Sequence, residues 1–353
     1  MTFHSPTIAR LSPFGLAIAA TMTIVNVMME VARKKAVAGR TLIPTTFWCL
    51  SVDTLVFALV WVCTRSSGSG FHIHGSGDLL GLRMSPTQVF VLCEVSDFLV
   101  TGLATWMFFK ALQEAAMSGS VPFLAFTPVL LLPTGFLLLG ELPTEAKLFG
   151  LLLTMTGSVM MHWRLFAESW LSPIKAIYRD KGSRYMLYTA MLLAISTPLD
   201  KKLSFMTDLY TQCLIYGVGM CAFFLAMARI RGEPLCPVLR LGVGWIVVAG
   251  ILDAGTILLQ YQAYQYIDAV VVISIKRSGI VLAVIFGRLF FGEKNIRDKL
   301  AAASMMFVGV LILYLPLTTA QAAATAAAAI AAMLLYMLLV PPGATADLAT
   351  QRD

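Results

Sequence analysis

Blocks of about twenty consecutive apolar residues recur along this whole 353-residue chain. Each is long enough to cross, as a helix, a hydrocarbon layer roughly 30 Å thick. Charged residues make up only 13% of the chain, where soluble domains carry about 25%. The mean hydropathy is +0.81. A soluble enzyme, a DNA-binding protein and a disordered chain are all excluded. The pattern argues against a transmembrane barrel too, because its strands alternate polar and apolar residues over roughly ten positions.

Turn and charge punctuation predicts helical spans over 12–32, 44–63, 87–110, 118–139, 145–163, 185–204, 209–228, 243–264, 269–291 and 297–315. An Ala-rich block over 319–340 predicts an eleventh. The first apolar block is too long for a signal-peptide core and is read as a retained helix. The net charge of +7 does not indicate nucleic acid, because the basic residues sit between apolar blocks, where they orient a membrane protein. Arg33, Lys34, Lys35, Arg40, Arg164, Lys175, Arg179, Lys181, Arg184, Arg229, Arg231, Arg240, Lys294, Arg297 and Lys299 fall on one side. Only Arg10, Arg65, Arg83, Lys147, Lys201 and Lys202 fall on the other. The first side is expected to be cytoplasmic in a plasma (inner) membrane, with the N-terminus outside and the C-terminus returned to the cytoplasm by the eleventh span.

The chain repeats itself. A shift of 152 positions lays 111–163 on 263–315 without a gap. Gly135 falls on Gly287, Gly140-Glu141 on Gly292-Glu293, Lys147-Leu148 on Lys299-Leu300, and Gly157 on Gly309. Upstream, a shift of 167 lays Lys34-Lys35 on Lys201-Lys202. Spans one to five and six to ten therefore read as two copies of one unit. A unit with an odd number of crossings makes its copy enter from the opposite side, an inverted repeat with a substrate site at the interface near the midplane. The expected organisation is a first repeat over 12–163, a cytoplasmic linker over 164–184, a second repeat over 185–315, and an extra helix over 319–340.

Two strings, KALQEAAMSGSVPFLAFTPVLLLPTGFLLLGELPTEAKLFGLLLTMTGSVMM (110–161) and QAYQYIDAVVVISIKRSGIVLAVIFGRLFFGEKNIRDKLAAASMMFVGVLIL (262–313), carry a shared signature. An "AL" or "AY" closes the third span, a small-residue apolar fourth span follows, then "GE", then a Gly-bearing fifth span. In this the chain resembles the EamA unit of the drug/metabolite transporter superfamily, over roughly 12–315. The resemblance implies an all-α ten-helix transporter bundle. That superfamily moves amino acids, sugars, nucleotide sugars, phosphorylated sugars and drugs, and the eleventh span lies outside its usual pattern.

Ionisable residues deep in a span cost at least ~2.5–3.5 kcal/mol and usually face a cavity or a partner. The ninth span carries Lys276 and Arg277, the third Glu94 and Asp97 one turn apart, and the eighth Asp253. The functional reading makes Lys276 and Arg277 an anion site, since Arg grips a carboxylate or phosphate with a planar fork and Lys adds a point charge. Glu94, Asp97 and Asp253 then compensate charge or couple protons. The competing account locks the two cations to those acids as structural pairs. Adjacent helical residues point about 100° apart, so one of the two is expected to face the cavity and the other a neighbouring helix. The Lys-Arg pair is also similar to the phosphate-binding pair of plastid sugar-phosphate translocators. Those proteins are expected to add a third basic residue from the fourth span, where this chain has Leu124 and Ala125 at the repeat positions.

Trp106, Tyr261 and Tyr264 lie at a suitable level to line a cavity wall, with an interfacial belt as the alternative. Thr23 and Asn26 are expected to serve helix–helix hydrogen bonds, and Glu141 and Glu293 the turns into the next span. His72 and His74 form an HxH in a Gly/Ser-rich loop without a third ligand. Ser158 and His162, four apart, hint at a hydrolase but lack a third group. Six scattered cysteines without a CxxC suggest neither disulfides nor zinc. No HExxH, P-loop or dinucleotide fingerprint occurs. The expectation is a carrier rather than an enzyme, with no cofactor and no metal. Its partners would be a small anionic metabolite, the lipid bilayer, and a coupled proton or counter-substrate. The first alternative is a flippase or exporter of amphipathic compounds on the same fold, and the second an intramembrane enzyme or scaffold.

Overall fold

The computed structural model describes residues 12–64, 73–74, 78–79, 82–114, 121–140, 144–160, 181–292, 296–315 and 317–339. The linker up to residue 180, His72, Glu141, His162 and Glu293 lie outside the described residues, as does the side chain of Ser158. The helices are α1 (Pro13–Val37), α2 (Leu42–Thr64), α3 (Pro86–Glu114), α4 (Thr127–Leu139), α5 (Glu145–Met160) and α6 (Lys181–Met206). They continue with α7 (Leu209–Arg231), α8 (Gly244–Tyr264), α9 (Ala269–Ser278), α10 (Ile280–Phe291), α11 (Ile296–Tyr314) and α12 (Thr319–Leu339). Single 3₁₀ segments cover Val121–Phe126 and Cys236–Leu241. Between α2 and α3, a two-residue ladder pairs Asp78 with Arg83 and Leu79 with Leu82. It was not foreseen in a loop of that composition.

Among the described residues, seven stretches are long and apolar enough to cross a membrane: α1, α2, α3, α7, α8, α9 with α10, and α12. The remaining predicted spans are helical but shorter, like α4, or interrupted by charge, like α6 with Asp200, Lys201 and Lys202. Large apolar side chains such as Leu55, Leu59, Leu99, Leu289 and Leu338 are left on the outside, while carboxylates and guanidinium groups are buried within. That inversion of a soluble protein's surface suits a hydrocarbon solvent. The chain is a multi-pass membrane protein.

Local chemistry sets the ends of these helices. Ser12 caps α1, its Oγ accepting from the Gly15 N–H at 3.5 Å, and Pro13 opens the helix. Lys34 and Lys35 fall in its last turn, where the negative end of the helix favours cations. Asp208 caps α7 through the Thr211 N–H at 3.0 Å. The glycines of the two "GE" pairs, Gly140 (φ 70°) and Gly292 (φ 64°), close α4 and α10 in the left-handed region that a side chain disfavours. Pro198 cannot donate to the Ala194 carbonyl one turn back in α6, and the Thr134 hydroxyl of α4 takes that bond instead.

The packing is reciprocal. The largest helix–helix contacts join α3 to α6 and α1 to α8. At the contact of α5 with α11, a Cβ on Gly157 would meet Met306 Cγ at 2.5 Å and the Ala302 carbonyl at 3.0 Å. A Cβ on Gly309 would meet Thr154 and, at 2.7 Å, the Gly150 carbonyl. Each residue in one set is the other's equivalent 152 positions away. Small residues let helix backbones approach in this way. Gly309→Leu is therefore expected to overpack the contact and cost about 1–3 kcal/mol or more, read as a lowered melting temperature of the purified protein. Helix α12 lies against α5 and α11 through Ala322, Ala326 and Met333.

The predicted fourth and ninth spans are both broken. The fourth is the 3₁₀ segment to Phe126 followed by α4 from Thr127. The ninth is α9 to Ser278 followed by α10 from Ile280. The breaks, at Phe126/Thr127 and Ser278/Gly279, are again 152 positions apart. Periodicity did not anticipate them, because each span reads as one unbroken apolar run. At Gly279 a Cβ would sit 2.8 Å from Thr23 Cγ2 and 2.8 Å from Val27 Cγ2. The close approach of α1 thus accompanies the break.

Candidate functional site

The last turn of α9 faces a cavity of about 110 Å³ at the centre of the bundle. Its wall includes Asn26, Glu30 and Arg33 of α1, Thr101, Thr105 and Phe108 of α3, and Leu124 of the first break. Thr189 and Asp200 of α6, Tyr216 of α7, Asp253, Gln260 and Tyr261 of α8, and Lys276 and Arg277 also line it. Three cations (Arg33, Lys276, Arg277) and three carboxylates (Glu30, Asp200, Asp253) therefore share one small space.

They are not paired as the sequence led us to expect. Asp253 is held by Arg33, not by the α9 pair, in a buried salt bridge between α1 and α8. Arg33, counted above among the loop cations, lies inside α1, with its guanidinium 4.9 Å from the Phe109 ring centroid and 5.6 Å from that of Phe108. Asp53 of α2 adjoins Asp253. Glu94 does not line the cavity; its Oε1 accepts from Gln212 Nε2 at 2.6 Å, and its Oε2 has no hydrogen-bond partner among the described residues. Asp97 accepts from the Thr101 hydroxyl at 3.0 Å and meets the carboxyl of Asp200 across the α3–α6 contact. The Tyr261 hydroxyl donates to Asp200 at 2.8 Å.

Both α9 cations line the cavity, where only one was expected to, because the helix stops at Ser278 and its final turn is open at the break. Lys276 Nζ donates to Gln260 Oε1 at 2.8 Å, and Gln260 Nε2 donates to the Tyr264 hydroxyl at 2.8 Å. Arg277 is 7% exposed, and its Nε has no partner. Among the described residues it forms neither a salt bridge nor a hydrogen bond through its side chain; Glu30, bonded to Asn26 Nδ2 at 2.8 Å, is the acid that bears on it electrostatically. A small extension of the cavity reaches Gly279 and Ile280 at the start of α10, so the positive end of that helix adds to the field of the two cations.

Of the aromatic candidates, Tyr261 lines the cavity and Tyr264 lies one bond behind it, holding Gln260. Trp106 is elsewhere: it is half-buried against Tyr185, with Lys110 and Arg231 at 5.7 and 5.3 Å from its ring. Thr23 does serve a helix–helix bond, its hydroxyl donating to the Ile275 carbonyl at 3.1 Å. Sequence reasoning missed Glu30, Arg33, Asp200 and Gln260. One signal was present: the shift that aligns Lys34-Lys35 with Lys201-Lys202 places Asp200 at Arg33's position.

Broken helices that converge on a buried polar cavity within a membrane bundle are a feature found in many secondary transporters. Residues 180–315 match the EamA-like transporter family. Over that stretch, which is less than half of the chain, the sequence is similar to an EamA-type unit. A solved crystal structure, described only as that of a protein, is 15% identical with a TM-score of 0.55, covering 86% of this chain and 98% of that one. At that identity the likeness carries the fold alone. No curated protein matches the chain.

Proposed function

We propose that this protein is a secondary transporter for a small anionic metabolite, a carboxylate or phosphate ester, held by Arg277 and Lys276. The observation that carries the reading is Arg277, a buried guanidinium on the cavity wall with no hydrogen-bond or salt-bridge partner among the described residues. An isolated buried charge costs several kcal/mol. A chain that keeps one beside three carboxylates, all bonded elsewhere, leaves it for a ligand. The cavity size agrees: about 110 Å³ suits a small anion, whereas drug-sized ligands occupy roughly 300–1,000 Å³.

The mechanism is alternating access between two inverted repeats, 12–163 and 185–315, joined by the cytoplasmic linker 164–184. Three features support it: the breaks in register, the reciprocal glycine contacts of α5 and α11, and the exchange of partners between α1–α8 and α3–α6. The membrane is the plasma (inner) membrane, with the N-terminus outside and the C-terminus cytoplasmic after α12.

Proteoliposomes preloaded with unlabelled malate or phosphate test this. Wild-type protein is expected to take up the corresponding radiolabelled anion saturably. Lys276→Ala is expected to reduce uptake about tenfold, as loss of one point charge to the anion, and Arg277→Ala to abolish it. Uptake unchanged in both variants would refute the assignment.

A further inference from the structure

We propose that the Asp97–Asp200 carboxyl pair holds one exchangeable proton and that this proton travels with the anion. The pair is a property of the folded protein; only its coupling to cargo rests on the transport reading above.

Asp97 is 1% exposed and Asp200 is 8% exposed. Their carboxyls meet, and each receives one bond from a neutral hydroxyl, Thr101 and Tyr261 respectively. Among the described residues neither is salt-bridged. Two facing carboxylates without a bonded cation repel, whereas one shared hydrogen converts the repulsion into a hydrogen bond. The repeat sharpens the contrast. Where α1 meets α8, Arg33 neutralises Asp253; where α6 meets α3, Asp200 stands in Arg33's place and meets another acid. Asp253 is therefore occupied, and the proton-holding role moves from it to Asp200.

Asp200 lines the same cavity as Arg277, whose buried, unpartnered side chain independently calls for an anion there. The groups facing the pair are Cys93 and Glu94 one turn along α3, Cys213 and Tyr216 on α7, Tyr261 on α8 and Lys276 on α9. Of these, Lys276 favours the ionised pair. An anion that neutralises Lys276 and Arg277 removes that influence, so the proton is held more firmly with cargo bound. Linkage is reciprocal, so the held proton also favours the anion. The sign is that of cotransport. Glu94, with Gln212 and the Thr207 hydroxyl that donates to Gln212 at 2.9 Å, extends the polar chain from the pair to the α6–α7 turn.

Infrared difference spectra of the purified full-length protein in H₂O and D₂O read protonated buried carboxyls directly, without any ligand. Asp97→Asn and Asp200→Asn are each expected to remove the same intensity, and the double variant no more than either alone, because one hydrogen is shared. Asp200→Glu should retain it, and Arg277→Ala should leave it untouched. Absence of the band in wild-type protein, its survival in the double variant, or losses that add would each overturn the proposal. In weakly buffered proteoliposomes containing a pH-sensitive dye, inward malate or phosphate movement should carry protons inward. Anion uptake without proton movement would overturn the coupling. If no probe anion moves, the spectra still decide the pair, so failure of the transport reading is distinguishable from failure of this one.

Discussion

Arg277→Met is expected to abolish anion uptake while raising the melting temperature of the protein. The two effects share a cause. Arg277 is 7% exposed and has no bonded partner among the described residues, so its removal breaks no protein contact and relieves a buried charge. Replacing buried charges with apolar groups of similar volume often stabilises by about 1–4 kcal/mol. The opposing terms are the attraction of Glu30 and the favourable placement of a cation at the end of α9, the latter worth about 0.3–1 kcal/mol. Desolvation wins, and the sign is a gain in stability. Uptake should fall at least about a hundredfold, the result of losing a charge-assisted contact worth roughly 3 kcal/mol to the anion. A saturating anion that binds only the folded state should raise the wild-type melting temperature, by an amount equivalent to about 2.7 kcal/mol at a hundred times its Kd. The variant should lose that response. A lowered melting temperature in Arg277→Met would mean that the side chain holds helices together, and the carrier reading would lose its main support.

The crossing helices were legible because a bilayer imposes length and apolarity on a segment by itself. The predicted spans 44–63, 209–228, 243–264 and 319–340 correspond to helices Leu42–Thr64, Leu209–Arg231, Gly244–Tyr264 and Thr319–Leu339. Lys276, Arg277, Asp253 and Tyr261 were legible as cavity residues because charge and polarity are costly at that depth. What escaped depends on a distant partner. Arg33 reads as a loop cation until Asp253, 220 residues away, is seen to hold it. Asp200 sits beside Lys201-Lys202 and reads as part of a polar helix end, yet it faces Asp97 on α3. Trp106 has the right depth but the wrong face, which aromatic content alone does not specify. The break at Gly279 follows from the approach of Thr23 and Val27 on another helix, and no local pattern announces it.

Removing one partner of the Arg33–Asp253 pair is expected to destabilise the protein by about 3–5 kcal/mol, and removing both by much less. The side chains are 11% and 5% exposed, so a charge left without its partner is poorly solvated. The two single variants should also differ. Arg33→Met leaves Asp253 facing Asp53 with no cation between them and forfeits the contacts with Phe108 and Phe109. Asp253→Asn leaves a guanidinium that still has the two rings, each a cation–π contact worth roughly 0.5–2 kcal/mol. Arg33→Met should therefore be the worse of the two in thermal melting. The double variant Arg33→Met, Asp253→Leu should recover most of the loss, with a coupling energy above the usual ~0.5–3 kcal/mol. Because the pair joins α1 to α8 at the cavity wall, the contact has to loosen whenever those helices separate. An apolar replacement does not rebuild that contact through a polar intermediate, so the double variant should fold and yet transport slowly. Additive losses in the two single variants would show that the charges do not depend on one another, and the pair would then have no part in holding the cavity closed.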